Sequence, residues 1–119
     1  MPTLVEAPAT IAAAGTKPKR IDEYVGRVNT KTESVSVAHM RSPKGWSEPG
    51  QRPEFDEYTL VLQGTLRVRH ESGVTDVNAG QAIITGRGEW VQYSTPDADT
   101  EYVAVCSPAF SIDLVHRDE

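Results

Sequence analysis

A chain of 119 residues with nine glycines and eight prolines suits one domain of short strands and turns, long enough to bury roughly two thirds of its unfolded surface. Seventeen acidic against twelve basic residues leave a formal net charge of -5, and no basic block is present for phosphates, so nucleic acid is excluded as an expected partner. No apolar run approaches a membrane span, MPTLVEAPATIAAAG lacks the charged start and apolar run of a signal peptide, and the single Cys106 forms no internal disulfide, so we expect a reducing cytoplasm and no membrane partner.

Residues 1–33 read as an N-terminal arm with edge strands, one of them at Thr3 to Glu6; Ile21 to Val28 suits a strand or a single helical turn. Residues 34–119 read as the body of a single domain. Ser34 to Met40 alternates strictly, with Val35, Val37 and His39 on one face and Ser34, Ser36 and Ala38 on the other, which is a half-buried strand. Gly45 to Pro53 is a loop punctuated by Gly45, Pro49, Gly50 and Pro53. Further strands are expected at Glu57 to Leu62, Thr65 to His70, Val74 to Val77, Gln81 to Thr85, Trp90 to Ser94 and Glu101 to Cys106. The tail from Ser107 reads as irregular. Short strands at regular spacing with no convincing helix point to an all-β sandwich or barrel.

Gly45 to Gly64, GWSEPGQRPEFDEYTLVLQG, is the stretch around which the chain is organised. It resembles the first motif of the cupins: a glycine, five residues, His-x-His, three or four residues, a glutamate, six residues and a glycine. Gly45, Glu57 and Gly64 fall at the motif spacing, while the two histidine positions hold Gln51 and Pro53. The second cupin motif resembles Gly80 to Val91, where Gly80 and Gly88 match, Gly86 stands for a proline and Val91 for the last histidine. The resemblance implies a single jelly-roll β-barrel with its metal histidines mostly erased, and a homodimer formed through an edge strand or the N-terminal arm. Asp56-Glu57, Ser94-Thr95-Pro96 and the ending from Tyr102 to Phe110 are similar to the ethanolamine-utilisation type.

If Glu57 points into the barrel as the family's glutamate does, Thr59 and Val61 share its face. A carboxylate in a mostly apolar barrel gains a raised pKa by desolvation and can serve as general acid or base near neutral pH, with Tyr93 hydrogen-bonding a developing oxyanion. The alternative, that Glu57 satisfies backbone donors of the Gly50 to Pro53 loop, stays open. Gln51 and Val91 line the walls of the expected pocket; Trp46, Glu48, Glu54 and Trp90 belong to its mouth, or to the cover of a barrel end. His116 completes the site if the tail folds back. No cofactor is expected. A metal, if held, would need Glu57, Gln51 and a recruited His39 or His116, a poor set for ions that prefer imidazole.

Three functions are therefore carried forward. The first is a metal-independent cupin that binds a small molecule, with an enzyme using Glu57 as acid or base left open within it. The second is a non-catalytic binding or scaffold module whose pocket is packed by its own side chains. The third is an atypical metal-dependent lyase, isomerase or oxygenase.

Overall fold

The computed structural model describes residues 1–119. Ten strands run in chain order: β1 (Ala9–Ile11), β2 (Arg20–Val25), β3 (Ser36–Ser42), β4 (Trp46–Ser47), β5 (Asp56–Gln63), β6 (Thr65–His70), β7 (Gly73–Asn78), β8 (Ala82–Thr85), β9 (Val91–Thr95) and β10 (Thr100–Ser107). A four-residue helix, α1 (Ile112–Val115), follows. Two antiparallel sheets result, one ordered β1-β2-β3-β10-β5-β8 and the other β4-β9-β6-β7. They face each other as a jelly-roll sandwich.

The edge strand lies at Ala9–Ile11, not at Thr3 to Glu6, and it pairs with β2 of the same chain. Thr10 hydroxyl donates to Asp22 across that pair, an anchor unavailable to the residues before it. The ambiguous segment after Arg20 is a strand, because β3 offers it a ladder from Arg20↔Arg41 to Val25↔Val37.

The core between the sheets holds Trp46, Val61, Leu66, Val68, Val77, Val91, Tyr93 and Tyr102. β5 and β10 supply it by alternation: Glu57, Thr59 and Val61 are buried while Tyr58, Leu60 and Leu62 are exposed. On β3 the interior takes the small face, Ser36 and Ala38, and leaves Val37 and His39 on the outer side. That choice keeps side-chain volume out of one region of the interior, where a cavity lies.

The Gly45 to Pro53 loop is laid along β9 instead of looping free. Trp46 pairs with Thr95, Gly45 N–H donates to Thr95 O at 2.7 Å, Glu48 N–H to Tyr93 O at 3.3 Å, and Gln51 and Val91 exchange bonds of 2.8 and 2.9 Å. Pro49 and Pro53 have no N–H to give, so the ladder is interrupted and only β4 qualifies as a strand. The tail is likewise ordered. Ser111 caps α1, and the residues after it run beside the same loop: Arg52 N–H donates to His116 O, Glu54 N–H to Leu114 O and Asp118 N–H to Gly50 O. Phe55, Cys106 and Val115, with Phe110 and Leu114 against them, form a small apolar cluster beneath this strap. No helix is long and apolar enough to cross a membrane.

Gly64 turns β5 into β6 at φ +79°, and a Cβ there would lie 2.5 Å from the Asp99 carbonyl oxygen. Gly64→Ala is therefore expected to cost about 1–3 kcal/mol, through both the left-handed backbone and the clash, read as a lower urea midpoint at unchanged m. An unchanged midpoint would mean that the turn relaxes freely.

Candidate functional site

A cavity of about 60 Å³ opens in the interior of the sandwich. Its polar side chains are Glu23, Glu48, Gln51, Glu57, Thr59, Tyr93, Tyr102, Lys19 and Arg117, set among apolar groups that include Met40, Leu66 and Phe110. Such a volume accommodates about four to six water-sized groups, so a bound molecule has to be small.

Glu57 enters from β5, paired on one side with Cys106 of β10 and on the other with Thr85 of β8. A strand flanked by two others fixes this side chain in the way a reacting group requires. Glu57 is 8% exposed, and its pKa is pushed up from 4.5 to about 7, chiefly by desolvation and then by repulsion from Glu48. Lys19 and the Tyr93 hydroxyl pull it the other way. Glu48 is also raised, by burial, against the attraction of Lys19 and Arg117. The Tyr93 phenol is held well above its ordinary value by burial and by Glu57, and therefore stays a hydrogen-bond donor near neutral pH. Its hydroxyl lies 3.3 Å from the Thr85 hydroxyl.

The Gly50 to Pro53 loop does not depend on Glu57 for its donors. Gln51 N–H is taken by Val91 O and Arg52 N–H by His116 O. Glu23 supplies the contrast: equally buried in the cavity wall, it accepts from Val28 N–H at 3.0 Å and Asn29 N–H at 2.8 Å and is a structural carboxylate. Three buried atoms of cavity residues have no partner, Gln51 Oε1, Thr59 Oγ1 and Arg117 Nε, although native interiors pair nearly all such groups.

Sequence reasoning missed Lys19, Tyr102 and Arg117. Lys19 Nζ donates to the Tyr102 hydroxyl at 2.8 Å and sits 4.2 Å from the centre of the Trp46 ring. Tyr102 also contacts the Ser42 hydroxyl at 3.0 Å. Arg117 reaches the cavity because the terminal strap bridges to Gln51, and its Nε is buried without a partner. The one available signal was weak, a basic residue within the HRDE ending.

Among the expected site residues, Glu57, Tyr93, Gln51 and Glu48 come together at the cavity. Trp46 and Val91 lie in the apolar core, and the Trp46 indole N–H donates to Ala14 O, tying down the arm. Trp90 reaches outward to Asp118 at 2.9 Å. Glu54 and His116 pair with each other at the surface, and His39 pairs with Glu101 on the outer face at 2.6 Å. No histidine lines the cavity, so neither His39 nor His116 is placed to join Glu57 and Gln51 around a metal. The one thiol there, Cys106, is raised by burial and by Glu57 and stays protonated. No group of three or more His, Cys, Asp and Glu residues is arranged to hold a metal ion. The donor set does not fit a first-row metal.

The chain matches no family model. It is 45% identical over 101 residues, 84% of its length, to "Endoribonuclease YbeY" of Myxococcus xanthus (strain DK1622), and spans only 34% of that protein. Among solved structures it resembles a putative ethanolamine utilization protein Q of Salmonella typhimurium, with TM-score 0.68, 19% identity, and 87% of this chain and 97% of that one covered. Oxalate decarboxylase of Bacillus subtilis gives TM-score 0.75 and 18% identity over 98% of this chain and 33% of that one. The polyketide cyclase RemF of Streptomyces resistomycificus gives 0.76 and 16% over 100% and 85%.

The raised pKa has a sign that can be checked. Glu57 binds its proton more tightly folded than unfolded, so its contribution to stability is full below pH 4.5 and is lost as pH rises toward 7. The loss over that interval is about 3 kcal/mol. Glu57→Gln should flatten the urea-stability profile between pH 5 and 7.5 relative to the native chain. Parallel profiles would show that Glu57 ionises at its ordinary pH.

Proposed function

The chain is a cupin by fold, and from that premise we propose that it binds a small polar organic molecule inside the sandwich, without a metal, and uses Glu57 as general acid or base. The observation that carries this is a carboxyl group fixed on a central strand, facing a small cavity, with its proton balanced near neutrality. A group whose pKa lies near the working pH is present in both forms and transfers protons with little penalty. Tyr93, still protonated beside it, supplies a donor to an oxygen on which charge develops. The unpartnered Gln51 Oε1 and Thr59 Oγ1 favour an open site over a module packed by its own side chains.

The endoribonuclease name belongs to a relative about three times as long as the matched segment. A cavity of about 60 Å³ is too small for a nucleotide, and the chain carries a net charge of -5, so we propose no nucleic-acid role for this segment. Its compartment is proposed to be the cytoplasm, in keeping with the free, buried Cys106.

The test begins with a metabolite panel read by thermal shift, since a ligand of the native state raises its melting temperature. Hits are then assayed for turnover in the native chain and in Glu57→Gln. The expected result is loss of about 10²-fold or more in kcat with affinity largely kept, and a native pH profile that breaks near 7. Unchanged turnover in Glu57→Gln would remove that residue from the mechanism, and a panel without any hit would leave the scaffold-module reading.

We further propose a homodimer formed through the outer face of the six-stranded sheet. Tyr58 pairs in register with Ile84 and Val105, and Leu60 with Val103. Tyr58, Leu60 and Leu62 are 44–48% exposed and Ile84 71%, which makes one apolar patch across adjacent strands. A two-fold interface uses the same patch on both copies, so a second copy is the occupant that needs no other component. Sedimentation should give a dimer for the native chain and a monomer for Leu60→Glu; a native monomer at about 100 μM would overturn this, because a stable pair is at least micromolar.

A further inference from the structure

The cavity is lined by two carboxylates that are not structurally engaged and by two cations, and no member of either set is neutralised by the other. Glu48 and Glu57 repel each other, and both feel Lys19; Glu48 also feels Arg117. None of the four takes part in any ion pair within 4.0 Å, although the molecule holds ten such contacts elsewhere. Lys19 has spent one donor on Tyr102, leaving two. Arg117 Nε and Gln51 Oε1 are buried without partners, and Gln51 is 4% exposed. A donor and an acceptor are thus both wanting, together with a carboxylate pair and a pair of cations. Unpaired charge in a low-dielectric interior is costly, and it persists where a ligand completes it.

A plain anion would engage Lys19 and Arg117 but bring no donor for Gln51 Oε1 or Glu48. A plain amine would meet the carboxylates and leave Arg117 Nε without an acceptor. One molecule carrying both groups gives Gln51 Oε1 a donor and Arg117 Nε an acceptor at once. We propose that the ligand is a small zwitterionic amino acid, its ammonium group taken by Glu48, Glu57 and Gln51 Oε1 and its carboxylate by Lys19 and Arg117. A cavity of about 60 Å³ limits it to about six heavy atoms, the size of alanine or β-alanine. This identification rests on the reading of the cavity as a ligand site.

The experiment is a thermal-shift and calorimetric comparison at pH 7.5 of alanine and β-alanine with propionate and propylamine, which each keep one of the two charged groups. One of the zwitterions, at millimolar concentration, is expected to raise the midpoint by several degrees, and the single-charge compounds to leave it within about a degree. Lys19→Met and Glu48→Gln should each weaken the zwitterion by about tenfold or more. The comparison on the native chain stands even if either variant fails to fold. Propionate or propylamine matching the zwitterions would overturn the assignment while leaving the cavity as a ligand site. No shift from any of the four also overturns it. The underlying site reading fails separately, if the broad metabolite panel is blank and Glu57 titrates in the ordinary carboxylate range.

Discussion

Two carboxylates without backbone partners, sharing one buried cavity, set the terms for everything around them. Repulsion between Glu48 and Glu57 and the loss of water favour a proton on one of them. The interior tolerates this because a proton on one carboxyl group removes the repulsion, and because Lys19 lies close enough to temper it without forming an ion pair. Had an ion pair formed, Glu57 would be drawn back toward the ordinary carboxylate range and would not suit the acid-base role proposed for it. Holding Lys19 back is the work of its neighbours: its ammonium is engaged by the Tyr102 hydroxyl and by the Trp46 ring face.

The positions that carry imidazoles in the cupin motif still hold the scaffold together in this chain. Gln51 and Val91 face each other through a reciprocal pair of backbone hydrogen bonds, so the first and second motifs are still clamped together. The clamp is made of main chain and does not care which side chains it bears. A carboxamide and an isopropyl group at these positions leave the sandwich closed. Fold and metal site are therefore separable in this chain, with Gly45 and Gly64 serving the former.

Strand positions were legible because alternation writes burial directly into sequence. β5, β6 and β10 are found within a residue or two of where periodicity puts them, and the inward direction of Glu57 follows from the same rule. The errors have a common cause in tertiary structure. On β3 alternation identifies two faces and cannot say which one is buried; the Ser36 and Ala38 side won because the interior there is left open. Trp46 looks like a mouth residue and Val91 like a pocket-wall residue beside glycine-rich turns, yet both pack in one cluster with Val61 and Tyr102 of the facing sheet, and they become core. Lys19 and Arg117 come from segments without any period, and only the closure of both termini over the sandwich brings them to Glu57.

That closure has a kinetic meaning. Ile11, Ala14 and Lys19 of the arm, and Phe110 and Arg117 of the strap, form part of the cavity wall, whereas the opposing wall belongs to paired strands. The strap is held at the loop by a few main-chain bonds, from Arg52 to His116, Glu54 to Leu114 and Asp118 to Gly50. Segments tied this lightly open at a small fraction of the cost of global unfolding. Exchange between the cavity and solvent is then governed by terminal opening instead of by breathing of the sheets. For a molecule bound as proposed, residence time and affinity become separately adjustable quantities: the strap sets how long it stays, and the charges inside set how tightly it is held.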